Sequence, residues 1–440
     1  MTQRSYFPGW NVVIGSGIGI AFGSVPFFAA GFALLASAMA KDFGWTQADV
    51  AKAASIYLLL QTFAYPLCGW PLDRWGTRKF AGLSIVLFAA ALVVLSQIGN
   101  SLAQLYLAFA LTGVVGAGTN VVSYARAIAL WFNRKRGLAL GLAASAQAMG
   151  SFVIPIMANK LIASHGWSWA LIALAVFELV VCLPLIMLLI KDSPTPYGLL
   201  PDGATAPADD MSVAAMPEDD NMSVAAIPED DNMSVVAIVR TGVFWKLAIC
   251  FAIMGLSFYA IAPNIVYILT RKAGMSIADV ATIQAVSGVA VLFGRIGFGY
   301  LLDRVHAPIV GVAALALTAT CAAIYASTAV PALIIFASIL NGFAIGGDTD
   351  LMPYLASRYF GVRAVSRIFG WFLFAFFLGA AIGPVAFAKL SAVFDGSDTP
   401  LAMLAALQII PAALFLSMGR YRANAAQASD LAVAASEPSR

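Results

Sequence analysis

Apolar stretches of about 20 residues recur along almost the whole of this chain of 440 residues. A stretch of that length crosses a hydrocarbon core of about 30 Å as an α-helix. The composition agrees, because 61% of the residues are hydrophobic and only 11% are charged, whereas soluble proteins have roughly 25% charged residues. We therefore expect an all-α membrane protein whose surroundings are the lipid bilayer.

Charged breaks and breaks rich in glycine or proline divide these stretches into twelve predicted transmembrane helices. They lie near residues 9–37, 50–72, 80–99, 102–131, 137–163, 168–190, 243–270, 278–302, 307–327, 331–357, 366–389 and 400–419. The first stretch is too long for the apolar region of a signal peptide, so we expect it to remain in the mature protein.

Basic residues are concentrated in alternate loops between the predicted helices. The loops after helices two, four, six, eight and ten, together with the tails, contain Arg4, Arg74, Arg78, Lys79, Arg134, Lys135, Arg136, Lys191, Arg240, Arg304, Arg358, Arg363, Arg367, Arg420, Arg422 and Arg440. The opposite loops contain chiefly Lys41, Lys160, Arg271, Lys272 and Lys389. Because basic loops stay in the cytoplasm, we expect a multi-pass inner-membrane protein with both termini cytoplasmic.

Two short segments recur at the same separation of 230 residues. GWTQADVA at 44–51 returns as GMSIADVA at 274–281, and GWPLDR at 69–74 returns as GYLLDR at 299–304. The common offset predicts two related halves of six helices with the same orientation, which places a substrate site between them near the midplane. We assign the six-helix bundles to 1–190 and 243–420, a cytoplasmic linker to 191–242 and a disordered cytoplasmic tail to 421–440.

The linker contains its own repeat, because MSVAAMPEDDN at 211–221 is nearly repeated at 222–232. This acidic segment lacks a packed apolar face and is typical of a disordered tether.

These motifs resemble those of a known family. GWPLDRWGTR at 69–78 is similar to the loop motif of the major facilitator superfamily, with a shorter second copy at 299–304. WFNRKRGLALGLAASAQAMG at 131–150 resembles a pattern of the monocarboxylate porters and the oxalate/formate antiporters. The resemblance implies the major facilitator fold, with twelve transmembrane helices in two six-helix bundles, and a transporter rather than an enzyme.

Arg295 lies inside predicted helix eight, eight residues before Asp303. That spacing places its guanidinium roughly 12 Å from the helix end, near the middle of the bilayer. A charge at this depth usually faces a cavity or a partner. Either it binds a substrate carboxylate through two parallel N–H groups, or it forms a structural pair with Asp348 or Asp350. The similar porters imply the first role.

Two positions depart from the patterns of those porters. Monocarboxylate porters commonly have an aspartate one turn before this arginine, where this chain has Val291. Oxalate transporters have a lysine in helix eleven, whereas 369–377 is wholly apolar. A single cation favours a monoanion, and the aromatic residues of this stretch suggest that Phe374 contacts an apolar or aromatic substrate body.

Helix ten contains Asp348 and Asp350 well inside its apolar span. Burial favours a protonated carboxyl, so one of them can carry a proton; alternatively, either is a charge partner for Arg295. The corresponding stretch of helix four supplies Thr119 and Asn120, which we assign to the cavity wall. We also assign Tyr65, Asn264 and Phe374 to substrate binding.

The charged residues at the predicted cytoplasmic helix ends are Asp73, Arg74, Arg78, Asp303 and Arg304. The resemblance implies that they form gating contacts between helices. Asp49 and Asp279 follow Thr46 and Ser276 by three residues, which predicts capping boxes at the starts of helices two and eight.

The sequence contains two histidines, and it lacks both phosphate-binding glycine motifs. We therefore expect no metal, no cofactor, no nucleic-acid partner and no enzymatic activity. The expected function is proton-coupled secondary transport of a small organic monocarboxylate by a monomer. The alternative is an organic-anion exchanger or an exporter of hydrophobic compounds, including drugs.

Overall fold

The computed structural model of the protein describes residues 7–203, 235–261, 265–394, 398–419 and 421, except for the side chains of Gln47, Tyr267 and residues 271–273. The linker repeat, Asn264 and the tail after 421 lie outside the described residues.

Within the described residues, twelve helices are long and apolar enough to cross a membrane. They are α1 (Gly9–Phe43), α2 (47–75), α3 (77–96), α4 (Leu102–Trp131), α5 (Arg136–His165), α6 (Trp167–Leu189), α7 (Gly242–Ile261), α8 (Ile277–Leu302), α9 (Ala307–Ser327), α10 (Pro331–Phe360), α11 (Val362–Val393) and α12 (Thr399–Leu416). The second and third form one segment, Gln47–Ser96, that turns at Gly76, where φ is 79° and ψ is 165°. Glycine adopts this positive φ without a steric penalty. The prediction of twelve transmembrane helices is confirmed.

Matching capping boxes begin α2 and α8. The Asp49 carboxylate accepts from the Thr46 backbone N–H at 3.2 Å, and the Asp279 carboxylate accepts from the Ser276 backbone N–H at 3.1 Å. In return, each hydroxyl oxygen accepts from the backbone N–H of its aspartate at 3.2 Å. These carboxylates therefore accept hydrogen bonds from backbone N–H groups at the helix starts, as the sequence predicted.

Three helices of the first half are irregular. A widened, π-type turn occupies Phe27–Gly31 in α1, and another occupies Glu178–Cys182 in α6. In α4, the residues Ala117–Thr119 form a tighter 3₁₀ turn. Such interruptions change the direction of side chains within the bilayer and often occur at functional sites.

The two halves meet through α2 with α11 and through α5 with α8. Glycines permit the approach, since a Cβ on Gly137 would collide with the carbonyl of Gly299, and one on Gly69 with the backbone of Arg367. Each half has an even number of crossings, so the start of α1, the end of α6, the start of α7 and the end of α12 share one membrane face. We call this face the terminal face. The contacts of α2 with α11 and of α5 with α8 close it.

Candidate functional site

Arg295 lies where the two halves meet. Its Nη1 is 3.5 Å from Asp350 Oδ1 on α10, and its Nη2 donates to Gln147 Oε1 on α5 at 3.3 Å. The exposed fraction of the side chain is 9% for Arg295 and 1% for Asp350. Because α5 belongs to the first half and α10 to the second, this buried guanidinium contacts both halves at once. We call Arg295, Asp350 and Gln147 the charged cluster.

Asp348 and Asp350 lie two residues apart on α10, and their carboxyls interact electrostatically. Asp350 pairs with Arg295, which is the structural pair considered from the sequence, whereas Oδ1 of Asp348 and Oδ2 of Asp350 have no hydrogen-bond partner among the described residues. With both carboxyls ionised, this buried site would contain more negative than positive charge. An uncompensated buried charge is costly, so the arrangement favours a bound proton on one carboxyl.

A second cluster occupies the equivalent position in the other repeat. Tyr65 and Asn120 lie 230 residues before the arginine and the aspartate of the ion pair. Asn120 Nδ2 donates to the Tyr65 hydroxyl at 2.6 Å, and Phe377 of α11 stacks on the Tyr65 ring with centroids 5.4 Å apart. Phe377 in turn lies 230 residues after Gln147. The same framework therefore carries an ionic cluster and a neutral cluster, each completed from the opposite half.

The other residues predicted for the substrate wall lie elsewhere. The Thr119 hydroxyl accepts from the Ser24 backbone N–H and donates to the Gly116 carbonyl, both at 2.9 Å, so it joins α4 to α1. Phe374 packs against Phe63 at a centroid distance of 5.3 Å and Trp371 at 5.8 Å. Asn264 lies outside the described residues.

Sequence reasoning missed Gln147 and Phe377. The 230-residue offset relates these two positions, and each joins a cluster of the opposite repeat. Once one of these residues is known to contact a cluster, the offset identifies the other as its equivalent in the second repeat.

At the terminal face, Asp73 and Asp303 join the halves. The Asp73 carboxylate pairs with Arg367 of α11, and also with Arg126 of α4 at 3.8 Å. Asp303 accepts from the backbone N–H groups of Gly137 at 2.6 Å and Leu138 at 2.9 Å, which caps the start of α5. Both carboxylates therefore make contacts between the two halves, and their gating role stays a prediction.

The three arginines assigned to gating make contacts within their own halves. Arg74 lies over the Trp70 ring at 5.5 Å, and Arg304 lies over the Tyr300 ring at 4.0 Å. The Arg78 backbone N–H donates to Asp192 at 3.0 Å. Further contacts across the junction use residues to which the sequence analysis assigned no gating role. They include Arg136 with Ser357 and Arg358 with Asn133.

Asp303 makes the closed terminal face sensitive to pH. Burial raises the pKa of Asp303 from 3.8 to about 6, although the hydrogen bonds from Leu138 and Gly137 oppose this shift. Opening the face returns the carboxyl to water and to its ordinary pKa. The closed form therefore binds this proton more tightly, so its population should rise as the pH falls through 6.

We expect the ratio of closed to open molecules to rise up to about tenfold between pH 7 and pH 5, as proton linkage requires. Spin-label distances between the terminal-face ends of α5 and α8 would measure this change. Asp303→Asn should weaken this dependence, and Asp73, its counterpart in the first repeat, is a second partly buried carboxyl at the same junction. A closed population that falls with pH would contradict the prediction.

Comparisons with known proteins agree with this architecture. The family model described as Major Facilitator Superfamily matches residues 16–384 and 247–431. The MFS transporter asaE of Aspergillus flavus is 26% identical over 367 residues, which cover 81% of this chain and 74% of that protein. Monocarboxylate transporter 12 of Xenopus laevis is 24% identical over 338 residues, covering 73% of this chain and 70% of that transporter.

Among solved structures, the proton:xylose symporter XylE superposes with a TM-score of 0.69 at 12% sequence identity. The superposition covers 93% of this chain and 95% of that one. At this identity the likeness concerns the fold.

Proposed function

Because this chain belongs to the major facilitator superfamily, we propose that it is a secondary active transporter that carries a small organic monocarboxylate together with protons. The observation that carries the proposal is the buried Arg295, whose two terminal nitrogens contact groups from both halves. A charged group in this position is an expensive feature in a bilayer and is usually functional.

The charged cluster is suited to bind a carboxylate. Two parallel N–H groups of a guanidinium match the two oxygens of a carboxylate, and here they are held by Asp350 and Gln147. A substrate carboxylate would take the place of Asp350, while the Gln147 amide also has N–H groups to donate. The name of this chain's relative, monocarboxylate transporter 12 of Xenopus laevis, agrees with this substrate class.

The neutral cluster is suited to the rest of the substrate. The stacked rings of Tyr65 and Phe377 offer apolar faces, and the Asn120 amide offers hydrogen bonds. One cationic and one neutral cluster together favour a monoanion with an apolar or aromatic body over a dianion.

Competition for Arg295 supplies the coupling to protons. Asp350 and the substrate carboxylate cannot both remain ionised beside one buried guanidinium without leaving an uncompensated negative charge. Protonation of Asp350 releases Arg295 for the substrate, so binding of the anion and of the proton are linked. Asp348 adds a second carboxyl to the same coupled site.

Alternating access would use the two bundles 1–190 and 243–420, joined by the linker 191–242 and followed by the tail 421–440. The described conformation has its terminal face closed by the contacts of Asp73 and Asp303. The distribution of basic residues supports a cytoplasmic terminal face in a cell inner membrane. We propose that a single chain is the working unit.

The test compares carboxylic acids with their uncharged amides as ligands of the purified protein. Monocarboxylic acids should raise the unfolding temperature, since a ligand at 100 times its dissociation constant stabilises by about 2.7 kcal/mol. The corresponding amides should give no shift, and the stabilising acids should accumulate in proteoliposomes beyond one molecule per protein. Stabilisation by neutral hydrophobic compounds, without any effect of acids, would instead identify an exporter and overturn the proposal.

A further inference from the structure

A second buried carboxyl lies within the first half, separate from the charged cluster. The Glu178 side chain on α6 is buried, with the residue 3% exposed, and its Oε1 has no hydrogen-bond partner among the described residues. The Cys182 thiol, one turn away, donates to this carboxyl. The hydroxyl of Tyr124 on α4 is also buried without a partner in the described part of the chain, and it interacts electrostatically with Glu178.

Glu178 borders a small, partly open cavity between four helices. The remaining lining is apolar and consists of Phe22 and Phe27 of α1, Phe88 and Leu92 of α3, Ile154 of α5, and Leu174 and Phe177 of α6. The titratable groups that face Glu178 among the described residues are therefore Tyr124 and Cys182. An ionised carboxylate here would lack a cation to balance it, whereas the neutral acid fits these surroundings.

The backbone beside the cavity is irregular on two sides. Glu178 begins the π-type turn of α6, and Phe27 begins the π-type turn of α1. Both residues line the same cavity. Wide turns of this kind are frequent at functional sites, and here two of them lie around one uncompensated carboxyl. Movement of α1 against α6 would change the access of water to Glu178.

We propose that Glu178 is a proton-binding site of the first half, distinct from Asp348 and Asp350. In the described conformation the Glu178 carboxyl, in a residue that is 3% exposed, holds a proton taken from water as its O–H group. The proton returns to water in a conformation in which the packing of α1 against α6 admits water to the cavity. Its link to transport rests on the proposed function, but the binding of the proton itself does not.

The experiment needs no substrate. Infrared difference spectra of purified full-length protein, recorded between acidic and alkaline pH, should show the carbonyl band of a protonated carboxyl that titrates. One component of this band should be lost in Glu178→Gln and remain in the double variant Asp348→Asn with Asp350→Asn, which removes the other membrane-embedded carboxyls discussed above. Tyr124→Phe should shift its frequency, which provides a second readout if Glu178→Gln does not fold.

A measurement of proton release tests whether proton binding depends on the conformation. Trapping the protein with its terminal face open, by disulfides engineered on the opposite face, should release one more proton from the wild type than from Glu178→Gln. A Glu178 band that stays unchanged at every pH and in both conformations would show a permanently neutral structural residue and overturn the proposal. Failure of carboxylates to bind in the earlier test, with this titration intact, would overturn the proposed function alone.

Discussion

Arg295→Lys is expected to abolish high-affinity binding of the monocarboxylate while leaving the protein folded. Lysine keeps the positive charge but does not present two parallel N–H groups. In the structure these groups reach Asp350 at 3.5 Å and Gln147 at 3.3 Å. Loss of one charge-assisted hydrogen bond, which contributes about 1.5–3 kcal/mol, should weaken binding roughly 10- to 150-fold.

Equilibrium binding of a radiolabelled monocarboxylate to purified variants would measure this loss. Arg304→Lys is the matched control, because Arg304 belongs to the same half but lies at the terminal face over the Tyr300 ring. The control should bind like the wild type, and both variants should unfold cooperatively. Unchanged affinity in Arg295→Lys would refute the role of Arg295 in holding the carboxylate, as would an equal loss in Arg304→Lys.

The sequence was most informative about the helices, because bilayer thickness imposes a length that can be counted directly on the chain. It predicted α2 and α3 as separate crossings, and the structure shows why their boundary is easily lost. Helical hydrogen bonding continues almost through Gly76, and the reversal is concentrated in that residue. The capping boxes of Thr46 and Ser276 were also predictable, because they depend on local spacing alone.

The sequence left the partner of Arg295 undecided between Asp348 and Asp350. Residues two positions apart point to different sides of a helix, so the choice depends on how α10 is rotated against α8. Packing fixes that rotation, since a Cβ on Gly294 would collide with the Phe343 carbonyl, and one on Gly346 with the backbone of Arg295. The spacing of residues along the chain does not predict this contact between helices.

The residues contributed by the opposite half were harder to predict. Gln147 and Phe377 are ordinary residues on their own helices, and their roles arise from the approach of α5 to α8 and of α2 to α11. The internal repeat relates equivalent positions but does not state which helices cross the junction. Thr119 shows the converse, because a polar residue in the expected stretch is occupied by the backbone of α1.

Asp350→Asn is expected to uncouple substrate movement from the proton gradient. Asparagine cannot release a proton, and it leaves Arg295 permanently available to the substrate carboxylate. Affinity for the monocarboxylate should therefore become independent of pH, gradient-driven accumulation should be lost, and counterflow exchange should persist. Asn120, at the equivalent position of the first repeat, shows that this framework accommodates asparagine there.

Asp348→Asn is the matched control for this change. Oδ1 of Asp348 has no hydrogen-bond partner in the described part of the chain, whereas Asp350 carries the ion pair with Arg295. Accumulation should thus persist in Asp348→Asn, although its pH optimum should move because the two carboxyls are coupled. Both transport modes are to be measured in proteoliposomes, with unfolding followed in parallel.

The alternative role for Asp350 is that of a charge partner alone. Removing one member of a buried pair then costs about 3–5 kcal/mol of stability, but the surviving protein should still accumulate substrate along the proton gradient. Normal accumulation by Asp350→Asn, with or without reduced stability, would therefore remove Asp350 from the coupling mechanism. If Asp348→Asn behaved in the same way, the proton would have to enter on the carboxyl of the substrate itself, and Arg295 would then bind the neutral acid.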